Sequence, residues 1–227
     1  MIPFIEQTIV IPKQFRISSI AGNEAEFLHE FITKHAIKKT LEIGLGFGYS
    51  AAYIMHATGA RHKVIDPFQK RYRYLGLFNL DRLGFRTRLT FYGDYSHFVL
   101  PALSKTGETF QFIFIDGGHR FDEIFLDFYF SDLMLETNGY IVFHDATYES
   151  TQFVLSWIRK NRTDYSFVPA DLSNMAIITK RSGKPAFTSH LVDFYPWKYK
   201  IKSLLSKIGR PFFGRTAPAY ENSDLLP

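Results

Sequence analysis

Residues 41–50 read LEIGLGFGYS. An apolar run ends at Ile43, glycines follow at 44, 46 and 48, and Tyr49 opens a new apolar stretch. A strand that breaks into a glycine turn and feeds a helix is the first half of a βαβ unit. Such turns let the backbone approach a nucleotide-derived ligand at a helix N-terminus. The spacing narrows the choice. A dinucleotide fingerprint G-x-G-x-x-G needs its third glycine at 49, where this chain has Tyr49. Glu42, two positions before the first glycine, suits an ammonium group better than a pyrophosphate.

Outward from this loop, short β-type runs alternate with helical patterns. KTLEIG (39–44), HKVID (62–66), RLTFYG (88–93), FQFIFID (110–116) and GYIVFHD (139–145) read as strands. Helices are expected from Ser50, over 70–84, 121–135 and 148–161. A further one over 21–35 is capped near Asn23 and turns Phe27, Leu28, Phe31 and Ile32 to one face. YSFVPA and NMAIITK read as a closing hairpin around DLSN, within 164–180. The alternation implies an α/β fold, a doubly wound and mostly parallel sheet. The continuously apolar FIFI and YIVF fit strands covered by helices on both faces. Residues 1–20 read as an N-terminal strand or arm, 21–183 as the ligand-binding domain and 184–227 as a basic extension.

In such sheets ligands bind beyond the carboxyl ends of the strands. That rule selects Glu42 to Gly48, Asp66, Gly93 with Asp94, Asp116 to His119, and His144 with Asp145, all expected around one crevice. Asp66 ends the second strand, where a carboxylate can accept two ribose hydroxyls. Gly93 leaves room for a flat base, and Asp94 suits an adenine edge or a turn before Ser96. Asp116 and Asp145 are strand-end carboxylates able to share a divalent cation. His119, in a loop, can take a proton from a hydroxyl, since free imidazole titrates near ~6.5. His144 can do the same, or be a satisfied buried histidine. Two cofactor classes stay open: a nicotinamide dinucleotide and S-adenosylmethionine.

The chain of 227 residues has no cysteine, which excludes disulfides, thiolate nucleophiles and cysteine-bound metals. Its net charge of +5 gathers in residues 184–215, where seven Lys or Arg stand against Asp193 alone. The main domain is nearly neutral, so the case for nucleic acid is weak. No leader or membrane span is expected, and a cytoplasmic protein is. In PWKYKIKSLLSKIGRPFFGR (196–215), Ile201, Leu204, Leu205 and Ile208 follow helical spacing beside lysines. Such a helix suits packing, a homodimer contact or peripheral attachment to an anionic membrane.

Taken in order, LEIGLGFGYSAAYIM, VIDPF, YGDY, FIFIDGGHRFDEIFLDF and NGYIVFHDA resemble the class I S-adenosylmethionine-dependent methyltransferases. The resemblance spans about residues 20–180 and is nearest the small O-methyltransferase-like group, with D-G-x-H after strand four and H-D after strand five. It implies a seven-stranded Rossmann-like sheet whose last strand is antiparallel. It implies that Glu42, Gly44, Gly46, Gly48 and Ser50 hold the methionine part of S-adenosylmethionine. Asp66 would hold the ribose, and Gly93, Asp94 and Tyr95 the adenine. Asp116 would sit near the methionine amino group or a metal.

Metal-dependent relatives bind magnesium with two strand-end Asp and an Asn. Asp116 and Asp145 match, but Ala146 stands where the Asn would be. The implied activity is O-methylation of a small hydroxylated acceptor. His119 is the expected general base, with Asp145 and His144 beside it. A nicotinamide oxidoreductase, an RNA methyltransferase using QKRYRY (69–74) and a non-catalytic interaction protein are the alternatives.

Overall fold

The computed structural model describes residues 1–170, 172, 174–186, 191–195 and 201. Its elements run α1 (Pro3–Thr8), α2 (Gly22–Lys34), β1 (Thr40–Ile43), α3 (Tyr49–Thr58), β2 (His62–Ile65), α4 (Leu75–Arg82) and β3 (Leu89–Tyr92). Next come α5 (Ser96–Ser104), β4 (Phe110–Ile115), α6 (Phe121–Met134), β5 (Leu135–Phe143), α7 (Glu149–Asn161), β6 (Tyr165–Val168) and β7 (Ala176–Lys180). One sheet holds all seven strands in the order β3-β2-β1-β4-β5-β7-β6. β1 to β5 pair in parallel, and β7 is antiparallel to both β5 and β6. The expected doubly wound fold is the one present.

Alternation along the strands builds two cores, because successive side chains point to opposite faces. Phe112, Phe114, Val142 and Ile177 meet α2, α3 and α4 on one face. Ile113, Ile115, Ile141, Phe143 and Ile178 meet α5, α6 and α7 on the other. The strand order reverses between β1 and β4, and a crevice opens there beyond their carboxyl ends.

Local readings shift in four places. Residues 3–8 form a helix, not a strand: Pro3 is pre-shaped for a first turn, and Ile5 is fully buried. α2 is capped at Ala21, not Asn23, because the Glu24 carboxylate reaches back to accept the Ala21 N–H at 2.7 Å. The helix expected from 70 starts at Leu75, after Arg73 and Tyr74 adopt positive φ. The first compact unit runs to Phe194, past the boundary expected at 183. Its end is tied to α7: Ser156 donates to the Phe194 carbonyl, and Asn161 accepts the Val192 N–H at 2.6 Å.

Tyr195–Pro227 form a second unit. The segment 196–215, apart from Ile201, lies outside the described residues, as do 171 and 173 of the hairpin turn. Among the described residues no helix is long and apolar enough to cross a membrane.

Candidate cofactor and catalytic site

A cavity of about 580 Å³ occupies the crevice. Its walls come from the loop after β1, the ends of β2, β4 and β5, the start of α5, and Gln14, Ser19 and Ile20 of the N-terminal segment.

The loop after β1 is shaped by contacts far along the chain. Gly44 has φ +98°, and a Cβ there would stand 2.0 Å from the Asp116 carbonyl oxygen. Only glycine permits that approach. Gly46 also has positive φ, but a Cβ on it would meet open space, so its backbone faces the cavity bare. Gly48 instead packs on the Gly76 carbonyl and does not line the cavity.

Asp66 anchors this loop. It accepts N–H bonds from Leu45 (3.1 Å) and Gly46 (2.9 Å), the Gln69 side chain (2.8 Å) and the Phe68 N–H (2.6 Å). Three of these bonds converge on Oδ2 and one reaches Oδ1, which keeps a lone pair for a further donor. Asp66 borders the cavity, but its first task is holding the loop.

Glu42 is fully buried behind the loop and does not line the cavity. It accepts the Ser50 hydroxyl on one oxygen and faces His62 Nε2 at 2.8 Å on the other. Burial raises its pKa, against the hydrogen bond from His62. Ser50 lines the cavity.

At the far wall, four titratable groups interlock. His119 Nε2 donates to Asp145 Oδ2 at 2.7 Å, and the His119 side chain is 54% exposed. That bond fixes the tautomer and leaves Nδ1 as the basic nitrogen. The Asp145 bond also raises the His119 pKa, against partial burial. His144 faces Asp116 from Nδ1 at 3.0 Å and Glu24 from Nε2 at 3.2 Å. Both nitrogens confront carboxylates, which favours the protonated ring in the absence of a metal ion. Burial opposes that charge, but the bonds to Asp116, Asp145 and Glu24 push its pKa up to about 12. Asp145, bonded to His119 and then His144, sits far below the usual carboxylate range. Burial raises Asp116 instead.

Asp116, His144 and Asp145 bring one ligand atom each within 4.8 Å of one another. The set mixes one nitrogen with two oxygens. It suits a nitrogen-tolerant divalent ion such as manganese or zinc better than magnesium, which prefers oxygen alone. The two carboxylates expected to share a cation, Asp116 and Asp145, are both in the set.

At the opposite end, Phe68 and Tyr95 line the cavity with exposed rings, 5.9 Å apart and edge to face. Gly93 and Asp94 stand exposed outside the lining, because the Asp94 carboxylate turns back to accept the Tyr95 N–H at 2.7 Å. Ser96 and His97 take the expected position on the wall.

Residues 41–146 match the family model of a methyltransferase domain. That stretch carries a methyltransferase domain. No curated protein matches the chain by sequence.

Solved structures similar to this methyltransferase share its fold. The O-methyltransferase TomG from Streptomyces achromogenes, involved in tomaymycin synthesis and solved with S-adenosylmethionine, has TM-score 0.67 at 16% identity. The match covers 79% of this chain and 90% of that one. An O-methyltransferase from Bacillus cereus, solved with S-adenosylhomocysteine, has TM-score 0.63 at 14% identity, over 79% and 92%. A Podospora anserina methyltransferase, also bound to S-adenosylhomocysteine, has TM-score 0.65 at 13% identity, over 80% and 87%.

Of the expected residues, Gly44, Gly46, Ser50, Asp66, Tyr95, Asp116, His119, His144 and Asp145 border the methyltransferase cavity. Sequence reasoning missed Phe68, Tyr148 and the partner Glu24. Phe68 directly follows the Asp66-Pro67 strand end, a signal that was readable. Glu24 sits 120 residues before His144, and no spacing rule joins them.

Proposed function

We propose that the protein transfers the methyl group of S-adenosylmethionine to a hydroxyl oxygen of a small acceptor, with His119 as general base. The observation that carries this reading is the His119–Asp145 pair at 2.7 Å on the wall of the cavity. The N-terminus of α3 suits the carboxylate of the methionine end, and Gly46, without a side chain, leaves room for its approach. Phe68 and Tyr95 offer aromatic faces to the adenine. The ribose then falls near Asp66, whose loop it would meet.

S-adenosylmethionine brings an activated methyl group. The acceptor oxygen forms the new C–O bond as the S–C bond breaks, and the thioether S-adenosylhomocysteine leaves. The acceptor proton passes to His119 Nδ1, while Asp145 holds the ring and stabilises the imidazolium. Alignment of the two reactants supplies roughly 7–11 kcal/mol in favourable cases, and base catalysis about 10²–10⁴-fold. Tyr148, its ring 5.2 Å from that of His119, is positioned to pack against an acceptor.

The test is a methyl-release assay over hydroxylated small molecules. His119→Ala is expected to lower kcat by about 10²–10⁴-fold and to leave S-adenosylhomocysteine affinity, read by calorimetry, unchanged. Full turnover in that variant removes His119 from the chemistry. The ligand set of Asp116, His144 and Asp145 favours a second reading, in which a manganese- or zinc-class ion assists. Loss of activity on chelation, restored by either ion and not by magnesium, would support it; activity indifferent to chelation would exclude it.

A further inference from the structure

Asn174 precedes β7 in the closing hairpin and does not border the cavity. Strand register carries it to the far wall. β5 and β7 run antiparallel with Phe143 opposite Ala176, so two residues further along each strand Asp145 comes opposite Asn174. The backbone pairing continues there, with the Ala146 N–H donating to the Asn174 carbonyl at 3.0 Å. Ala146 has no side-chain amide to offer this loop, and Asn174 brings one. Thr147 Oγ1 donates to Asn174 Oδ1 at 3.0 Å, which leaves the amide nitrogen 3.3 Å from Asp145 Oδ1 and 3.3 Å from His144 Nε2. His144 Nε2 already faces Glu24, so the Asp145 carboxylate is the acceptor. The reverse orientation would set the amide oxygen against that carboxylate, two acceptors with no proton between them.

We infer that Asn174 is a positioning residue: by holding Asp145 Oδ1 it fixes the carboxylate at the angle from which Oδ2 orients His119 toward the acceptor. This rests on the reading of His119 as the general base. The torsion that turns an aspartate carboxylate is broad and weakly restrained on its own. A bond at each oxygen removes that freedom, with Asn174 at Oδ1 and His119 at Oδ2, 2.7 Å away. The Asp145 backbone is held as well. Its φ of +50° is uncommon for a residue with a side chain and persists where the surroundings fix it; its carbonyl accepts the Tyr148 N–H at 2.9 Å. His119 is tethered separately, since Ser150 Oγ donates to its carbonyl at 2.6 Å. Ser150 therefore places the base, and Asn174 sets the carboxylate that aims it.

Two measurements test this on Asn174→Leu, which keeps the bulk and loses the amide; Asn174→Ala serves if that variant does not fold. The first is crystallography of wild type and variant. The variant is expected to lose the His119–Asp145 contact through rotation of the carboxylate, and an unchanged contact overturns the inference. The second is a double-mutant cycle with His119→Ala in the methyl-release assay. Asn174→Leu is expected to lower kcat about 10–100-fold, as for a lost hydrogen bond to a charged group, and to leave the KM for S-adenosylmethionine unchanged. In the His119→Ala background it should cost nothing further, because the two residues act through one pair. Losses that add in full would place Asn174 outside that pair and overturn the inference. If His119→Ala alone keeps full turnover, the general-base reading fails, and the crystal structures still decide whether Asn174 holds Asp145.

Discussion

Gly44 makes the strictest single-residue demand in the site. Its φ of +98° is costly for a side chain, and the atom a Cβ would strike is backbone, the Asp116 carbonyl at 2.0 Å. Neither partner can swing aside as a side-chain tip could. Gly44→Ala is expected to destabilise the fold by about 3 kcal/mol or more, read by urea unfolding, and to weaken S-adenosylhomocysteine binding. Gly46→Ala, with a clear volume around its Cβ position, should cost less stability and fall mainly on binding. Equal unfolding midpoints for the two variants would contradict this account. The glycine pattern was legible along the chain. Its reason was not, because Asp116 and the Asp66 carboxylate reach the loop from other strands. Likewise, Glu42 reads on paper as a direct ammonium ligand, yet strand pairing turns it to His62 and Ser50.

Among elements, the strands and the long helices were read well, even the four-residue β1, β2 and β3, and the short helix α1 was not. The apolar run of β4 announces itself, and so does the spacing of α6. α1 has six residues, too few to show a period. Its helix is set by what it meets: Glu6 accepts the hydroxyls of Tyr49 and Tyr53, each at 2.6 Å, on α3. Tyr49 borders the cavity, so α1 buttresses the element whose first turn faces the cavity. α4 secures the same region. Asn79 accepts the Val10 N–H at 3.1 Å and donates to the carbonyls of Val10 (3.0 Å) and Phe47 (2.9 Å). One buried amide thus joins the N-terminal segment to the glycine loop. Asn79→Ala would leave these backbone groups unpaired, at a cost of about 1–3 kcal/mol for each buried group. A drop in thermal midpoint together with weaker S-adenosylhomocysteine binding is the expected result; a drop in stability alone would detach Asn79 from the site.

At the scale of the molecule, stability and chemistry are held by different charge clusters. The cavity cluster centres on His144. A second, at the other end of α6, joins that helix to the closing hairpin. Asp132 meets Arg162 at 2.9 Å and Lys180 at 3.1 Å, and accepts the Tyr165 hydroxyl at 2.7 Å. None of these residues borders the cavity. Burial works to raise the Asp132 pKa, but the bonds from Arg162 and Tyr165 prevail and hold it below 3.8. The folded state therefore binds this proton less readily than the unfolded chain. Its contribution to stability is present above about pH 3.8 and is lost as pH falls through the lower, folded value. Asp132→Asn removes that dependence and leaves Arg162 and Lys180 buried with one anion fewer, a loss of about 3–5 kcal/mol near neutrality. Thermal melts between pH 7 and pH 3 should show the wild type falling toward the variant as the medium acidifies. Two curves that stay parallel down to pH 3 would mean that the Asp132 charge does not stabilise the fold.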